Sequence, residues 1–327
     1  MIGFSAFARR SLLLAAFLAA GMVAPAQAQV RLDVAASVTW WGQVPLMVAI
    51  DKGFFRDQGI EVELKHIPSS SDRLAALMSG AVAFSNLGRI AVINEMARNN
   101  QSFYYFANID DSPGNEGCWA RRGFNSFKDL RGKKVAANTS AEITMNGLLE
   151  NEGMTAKDID FVNLPPGEMA VALANGDVDA ACVWELLLTN VRKAVPDGKQ
   201  LGLDSDTPIF KKFGTMASPD IMIISRKLVD EQPALARKLV TAIFAGVAYA
   251  NANPDESAKL IAHYFRLTPE AVAAGAKTFR YYGADDWHKH MQLHTGQMQY
   301  LAQWMFDNKR IPALPDVKKW ENVTFIP

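Results

Sequence analysis

The residues through which this chain could do chemistry are few, and their spacing separates two possibilities. Three of its five histidines, His288, His290 and His294, fall close together near the C-terminus. His290 and His294 stand at an i, i+4 spacing, which would let two imidazoles share a metal ion on one helical face. A metal site also needs a third ligand and an open position, and the spacing supplies neither. The expectation for this stretch is a solvated helix face. No H-E-x-x-H, G-x-S-x-G, P-loop or dinucleotide fingerprint occurs.

Aromatic and short polar side chains gather by a different rule. Trp40, Trp41 and Gln43 follow one strand-like run, and Ser69–Asp72 follow another. Asn86, Leu87, Gly88 and Arg89 close a third, Asn138 to Glu142 a fourth, and Trp184 with Glu185 a fifth. In an open α/β lobe, segments after the strand ends face a ligand. Tryptophan faces offer apolar or cation–π contact. Helices beginning near Ser71, Arg89 and Thr139 would present free backbone N–H groups suited to an anion. Arg89 could add a charge-assisted fork to a carboxylate or sulfonate, while Glu142 and Glu185 bring negative charge. Taken singly, each residue fits plain packing, capping or a surface ion pair equally well. Their shared placement at strand ends points to ligand capture, with no catalytic residue.

The elements that must hold these residues form a repeat. Gly53-Phe54-Phe55, a strand over 60–64 and a helix ending before Gly80 lead to a short buried strand over 82–84. About a hundred residues later, Gly153, a strand over 159–164 and a helix ending before Gly176 lead to a buried strand reaching Trp184. Two similar α/β units predict two lobes with a cleft between them. The loop-like run 110–115 is the expected crossover, and the apolar strand 220–225 the expected return. Residues 204–218 read as irregular, and everything after Leu228 as helical. The predicted organisation is a signal peptide over 1–28, one lobe from 29–111 plus 222–327, and a second from 112–221.

The signal peptide rests on Arg9 and Arg10, the apolar run 11–24, and an A-x-A site before Gln29. It predicts a periplasmic location. The chain has 34 basic and 34 acidic residues, so no charge excess favours nucleic acid. No later segment reads as long and apolar enough to cross a membrane. Cys118 and Cys182 lie in apolar strand-like runs, where a free cysteine packs as a small hydrophobe, and the expectation is that they are unpaired.

WWGQVPLMVAIDKGFF over 40–55, NLG over 86–88, LRGKKVA over 130–136, GDVDAACVW over 176–184 and DIMIISRK over 220–227 resemble landmarks of one family. It is the nitrate/sulfonate/taurine and thiamine-precursor binding-protein family, and the taurine-binding branch is the nearest in character. The resemblance covers nearly all of 29–327. It implies a two-lobed type II periplasmic binding fold that closes on a ligand by hinge motion. It also implies an ABC permease as partner, a monomer, and no cofactor, metal or nucleic acid. On the family pattern, Asn86, Leu87 and Gly88 would form the first-lobe ligand loop. Thr139 and Ser140 would be the hydroxyl-bearing helix start, and Trp184 the second-lobe aromatic. Asp220 would be an acid that receives an amine. Arg89 and Ile90 replace the small hydroxyl residues usual after Asn-Leu-Gly in the taurine branch. Together with Glu142 and Glu185 they suggest an organic ligand with a cationic amine. Two alternatives remain. One is a thiamine-precursor receptor or biosynthetic enzyme of the same fold, with His66 as its reactive residue. The other is a sensor subunit for a membrane signalling protein.

Overall fold

Two five-stranded sheets, each built on the same plan, organise the molecule. The computed structural model describes residues 29–216 and 219–327, so the signal-peptide expectation lies outside the described residues. In chain order the strands are β1 (Val30–Ala36), β2 (Ile60–His66), β3 (Phe84–Leu87) and β4 (Phe103–Asn108), then the two-residue β5 (Asp110–Asp111). Next come β6 (Glu116–Ala120), β7 (Lys134–Ala137), β8 (Asp160–Asn163), β9 (Ala180–Trp184) and β10 (Lys199–Leu203). The last are β11 (Ile221–Ser225) and β12 (Arg280–Tyr281), the latter paired with β5.

The first sheet has the order β2-β1-β3-β11-β4, and the second, read from its other edge, β8-β7-β9-β6-β10. β1 runs parallel to β2 and β3, as β7 does to β8 and β9. β11 is antiparallel to β3, and β6 is antiparallel to β9. The repeat seen in the sequence is therefore β2–helix–β3 and β8–helix–β9 flanking equivalent central strands. The antiparallel member of each sheet arrives from the other sheet, so its amino end lies beside its neighbours' carboxyl ends. Positions before β6 and β11 thus join those after β1, β2, β7 and β9.

Each unit is punctuated by glycines in the left-handed region: Gly59 at φ 74° and Gly80 at φ 81°, Gly153 at φ 67° and Gly176 at φ 81°. Only glycine adopts that conformation without a Cβ penalty, which stops each helix and starts the next strand. Apolar clusters cover both faces of the second sheet, one around Val135, Met145 and Cys182, the other around Met169, Leu173 and Val183. The first sheet shares one larger cluster with the C-terminal helices. Among these, Pro233–Ala252 is long and apolar enough by length and composition to cross a membrane, contrary to the sequence reading. Half of its apolar window is buried in the protein, and Gly246 lets it approach the backbone at Pro45 more closely than any side chain would permit.

Two further expectations are corrected. The stretch 204–218 is not wholly irregular: Thr207 accepts from the Phe210 N–H, Pro208 fills the first turn, and Gly214 at φ 69° ends a helix over Pro208–Phe213. Cys118 and Cys182 are not free. The antiparallel register of β6 on β9 sets them directly opposite, with Cα atoms 4.0 Å apart, and they form a disulfide.

Candidate functional site

Where the two sheets meet lies a partly open cavity of about 40 Å³. Ser37 and Trp40 reach it from beyond β1, Pro68, Ser70 and Arg73 from beyond β2, and Asp220 from before β11. The second sheet contributes Glu116 from the start of β6, Asn138 and Ser140 from beyond β7, and Trp184 from the end of β9. The strand arithmetic of the fold is what collects these positions.

The two halves touch across the cavity. Trp184 Nε1 donates to the Thr39 carbonyl at 2.8 Å, and the Trp184 and Trp40 rings meet edge-on with centroids 6.3 Å apart. A Cβ added to Gly88 would lie 2.5 Å from Ser140 Oγ, so the Ser140 side chain packs directly over this glycine and would have to shift for any larger residue.

Polar groups in the wall are tightly assigned. Arg73 donates from Nε to the Asn86 carbonyl (3.0 Å), and from Nη1 to the carbonyls of Ile67 (2.7 Å) and Pro68 (2.9 Å). Its Nη2 donates to Ser70 Oγ at 3.2 Å. Burial pulls the Arg73 pKa below the usual arginine value, opposed by the charges of Asp220 and Asp72. Ser70 Oγ also accepts from the Gly88 N–H at 3.1 Å. With both acceptor positions occupied, its own proton is free to point elsewhere. Asp220 Oδ2 accepts from Gln43 Nε2 at 3.0 Å. Burial pushes the Asp220 pKa up to about 6, against the Arg73 charge and the Gln43 bond. Glu116 accepts from Thr144 Oγ1. Behind the wall, burial holds Asp110 well above the usual carboxylate range, reinforced by the charge of Asp220.

Of the residues singled out in the sequence, Trp40, Ser140, Trp184 and Asp220 line the cavity. Gln43 braces Asp220 from behind, and Gly88 sits at the contact between the halves. Asn86 is buried in β3 and takes part through its carbonyl, while Leu87 is core. Trp41 is also core, with its ring 4.7 Å from Phe265, and Thr139 is half-buried beside the cavity without lining it. Glu142 pairs with Arg310 (2.6 Å) and Glu185 with Arg192, so neither carboxylate faces the cavity.

The structure does not bring Arg89 to the cavity. It is fully buried and turned into the first-sheet core, where it bonds Gln297 Oε1 and meets His294 Nδ1 at 3.2 Å. Burial lowers its pKa to about 10. His294 in turn contacts Asn108 Nδ2 at 2.6 Å, and burial with the Arg89 charge lowers its pKa to about 2. The expected solvated histidine face is thus, at His294, a buried polar network. No cluster able to hold a metal ion occurs among the described residues.

Arg73, Glu116, Ser37 and Pro68 were not singled out individually by sequence. Arg73 carried a signal: a cation beside Leu74 and Leu77 on the buried stripe of the helix Ser70–Met78.

Three comparisons bear on the whole arrangement. Over 212 residues the chain is 28% identical to the taurine-binding periplasmic protein of Escherichia coli (strain K12), covering 63% of this chain and 62% of that one. A 4-amino-5-hydroxymethyl-2-methylpyrimidine phosphate synthase of Candida albicans (strain WO-1) matches at 24% over 229 residues, 65% of each chain. The alkanesulfonate-binding protein SsuA from Xanthomonas axonopodis pv. citri, solved bound to MOPS, superposes with a TM-score of 0.72 at 18% identity, over 90% of this chain and 98% of that one. The fold is thus that of the periplasmic binding proteins, as the sequence resemblance implied. With the NMT1/THI5-like family model matching residues 42–257, the chain belongs to that family.

Proposed function

We propose that this protein is a periplasmic solute receptor of an ABC importer, and that it closes on a small organic ammonium of the taurine type. The observation that carries the reading is the charge of the cavity wall. Each half contributes one carboxylate, Asp220 and Glu116, between two tryptophans. Arg73, the one guanidinium among the described wall residues, is already held by three main-chain carbonyls and Ser70. A cation bound between the halves would face Asp220 from the first half and lie against the second, and such contacts favour the shut form through their differential affinity. Ser70, Ser140 and Asn138 stand at the starts of two helices, one from each half, and could receive a sulfonate at the ligand's other end.

The synthase relative keeps an enzymatic reading in view. The wall residues favour capture without chemistry, because no histidine lines the cavity among the described residues and His66 lies exposed at the end of β2. Thermal shift of the purified chain tests the proposal with taurine, longer aminoalkyl sulfonates, simple amines, amine-free sulfonates and nitrate. At ~100 times its dissociation constant a ligand stabilises the native state by about 2.7 kcal/mol. The amine-bearing compounds should shift the transition. A shift from nitrate or amine-free sulfonates alone would reject the proposal.

A further inference from the structure

The helix Glu142–Asn151 starts at the central cavity, and its next turns face a second space. Ile143, Asn146 and Glu150, spaced to share one helical face, look across at Leu301 and Trp304 of the helix Ala284–Asp307. Two adjoining voids, of about 30 and 220 Å³, share Asn146, Glu150 and Trp304 in their walls. The larger has over five times the room of the central cavity.

This groove contains a buried polar group with nothing to bond. Asn146 is only 8% exposed, and its side-chain Nδ2 has no hydrogen-bond partner among the described residues. An unsatisfied buried amide costs about 1–3 kcal/mol, which an acceptor on an occupant would relieve. The groove floor is apolar, from Ile143, Met154 and Trp304. Its rim carries one carboxylate, Glu150, and one ammonium, Lys157, and neither has an ion-pair partner among the described residues. Arg310, the other cation there, is committed to Glu142.

We propose that this groove is a second ligand site, for an amino-acid-like zwitterion with an apolar side chain. The ammonium faces Glu150, the carboxylate faces Lys157 and the Asn146 amide, and the side chain lies on Trp304. One wall belongs to the second sheet's half. The other belongs to the C-terminal helix, which the Arg89–Gln297 and Asn108–His294 contacts bind to the first sheet. An occupant therefore touches both halves and favours the shut form, coupling this groove to the central cavity.

Calorimetric titration of the purified chain with L-phenylalanine and L-leucine, up to about 10 mM, tests the assignment. Four proteins are compared: wild type, Trp304→Ala, the exposed-site variant Glu150→Gln, and Asp220→Asn in the central cavity. Binding should persist unchanged in Asp220→Asn and weaken by about tenfold or more in Trp304→Ala and Glu150→Gln. Absence of binding to wild type overturns the proposal. So does binding that Asp220→Asn abolishes, or that Glu150→Gln leaves intact.

Discussion

Lowering the pH from 7 to 5 should weaken taurine binding about tenfold, and Asp220 is the reason. Burial raises its pKa to about 6, with Arg73 and Gln43 opposing the rise. A group with that pKa is about nine-tenths ionised at pH 7 and about one-tenth ionised at pH 5. If only the carboxylate receives an ammonium, the apparent dissociation constant scales inversely with the ionised fraction. The change is then about tenfold, or ~1.4 kcal/mol. The sign is fixed: a cation favours the ionised form, so affinity rises with pH through about 6, and binding near pH 6 releases a proton. Asp110, also raised by burial above the usual carboxylate range, does not line the cavity. Asp204, raised by burial to about 7, titrates inside the window but does not line the cavity. Asp220→Asn separates the two, because it should remove the slope between pH 5 and 7 and leave weak, flat binding. Calorimetry in two buffers of different ionisation enthalpy reads both the affinity and the proton count. A flat wild-type profile, or the same slope in Asp220→Asn, would refute the reasoning.

Other parts of the structure make separate predictions. Replacing Cys118 and Cys182 together by alanine should lower stability by up to about 4 kcal/mol, because the disulfide closes a loop over a sequence separation of 64; an unchanged urea midpoint would contradict this. Arg89→Met should cost about 1–3 kcal/mol by removing one polar partner each from the buried Gln297 and His294, while ligand affinity holds. Lost affinity at unchanged melting temperature would return Arg89 to the ligand. Gly88→Ala should weaken affinity, because its Cβ would lie 2.5 Å from Ser140 Oγ and hold the halves apart. Solution scattering with saturating ligand should then show a larger radius of gyration than wild type, and equal radii would sink the idea.

What was legible in the sequence was set by local rules. Glycines at helix stops marked both α/β units, since Gly80 and Gly176 share the same left-handed geometry. Strand ends then pointed to Trp40, Ser140 and Trp184, and the family resemblance to Asp220, all of which line the cavity wall. Side-chain direction was not legible. Arg89 is the first residue of its helix, and whether it points to the cavity or to the C-terminal helix depends on how that later helix packs. Arg73 stayed hidden for the complementary reason. Its ring of carbonyls comes from Ile67, Pro68 and Asn86, on segments brought together only by the sheet. The disulfide was a matter of register, since a slip of one residue between β6 and β9 would have put the two sulfurs on opposite faces.

The central claim, that the cavity selects an amine, is tested most directly by comparing taurine with ethanesulfonate, which lacks only the amino group, in calorimetric titration at pH 7.5. Leaving Asp220 without its charged partner should cost about 1.5–3 kcal/mol, so ethanesulfonate should bind at least about tenfold more weakly than taurine. Equal affinity of the two compounds would contradict the account.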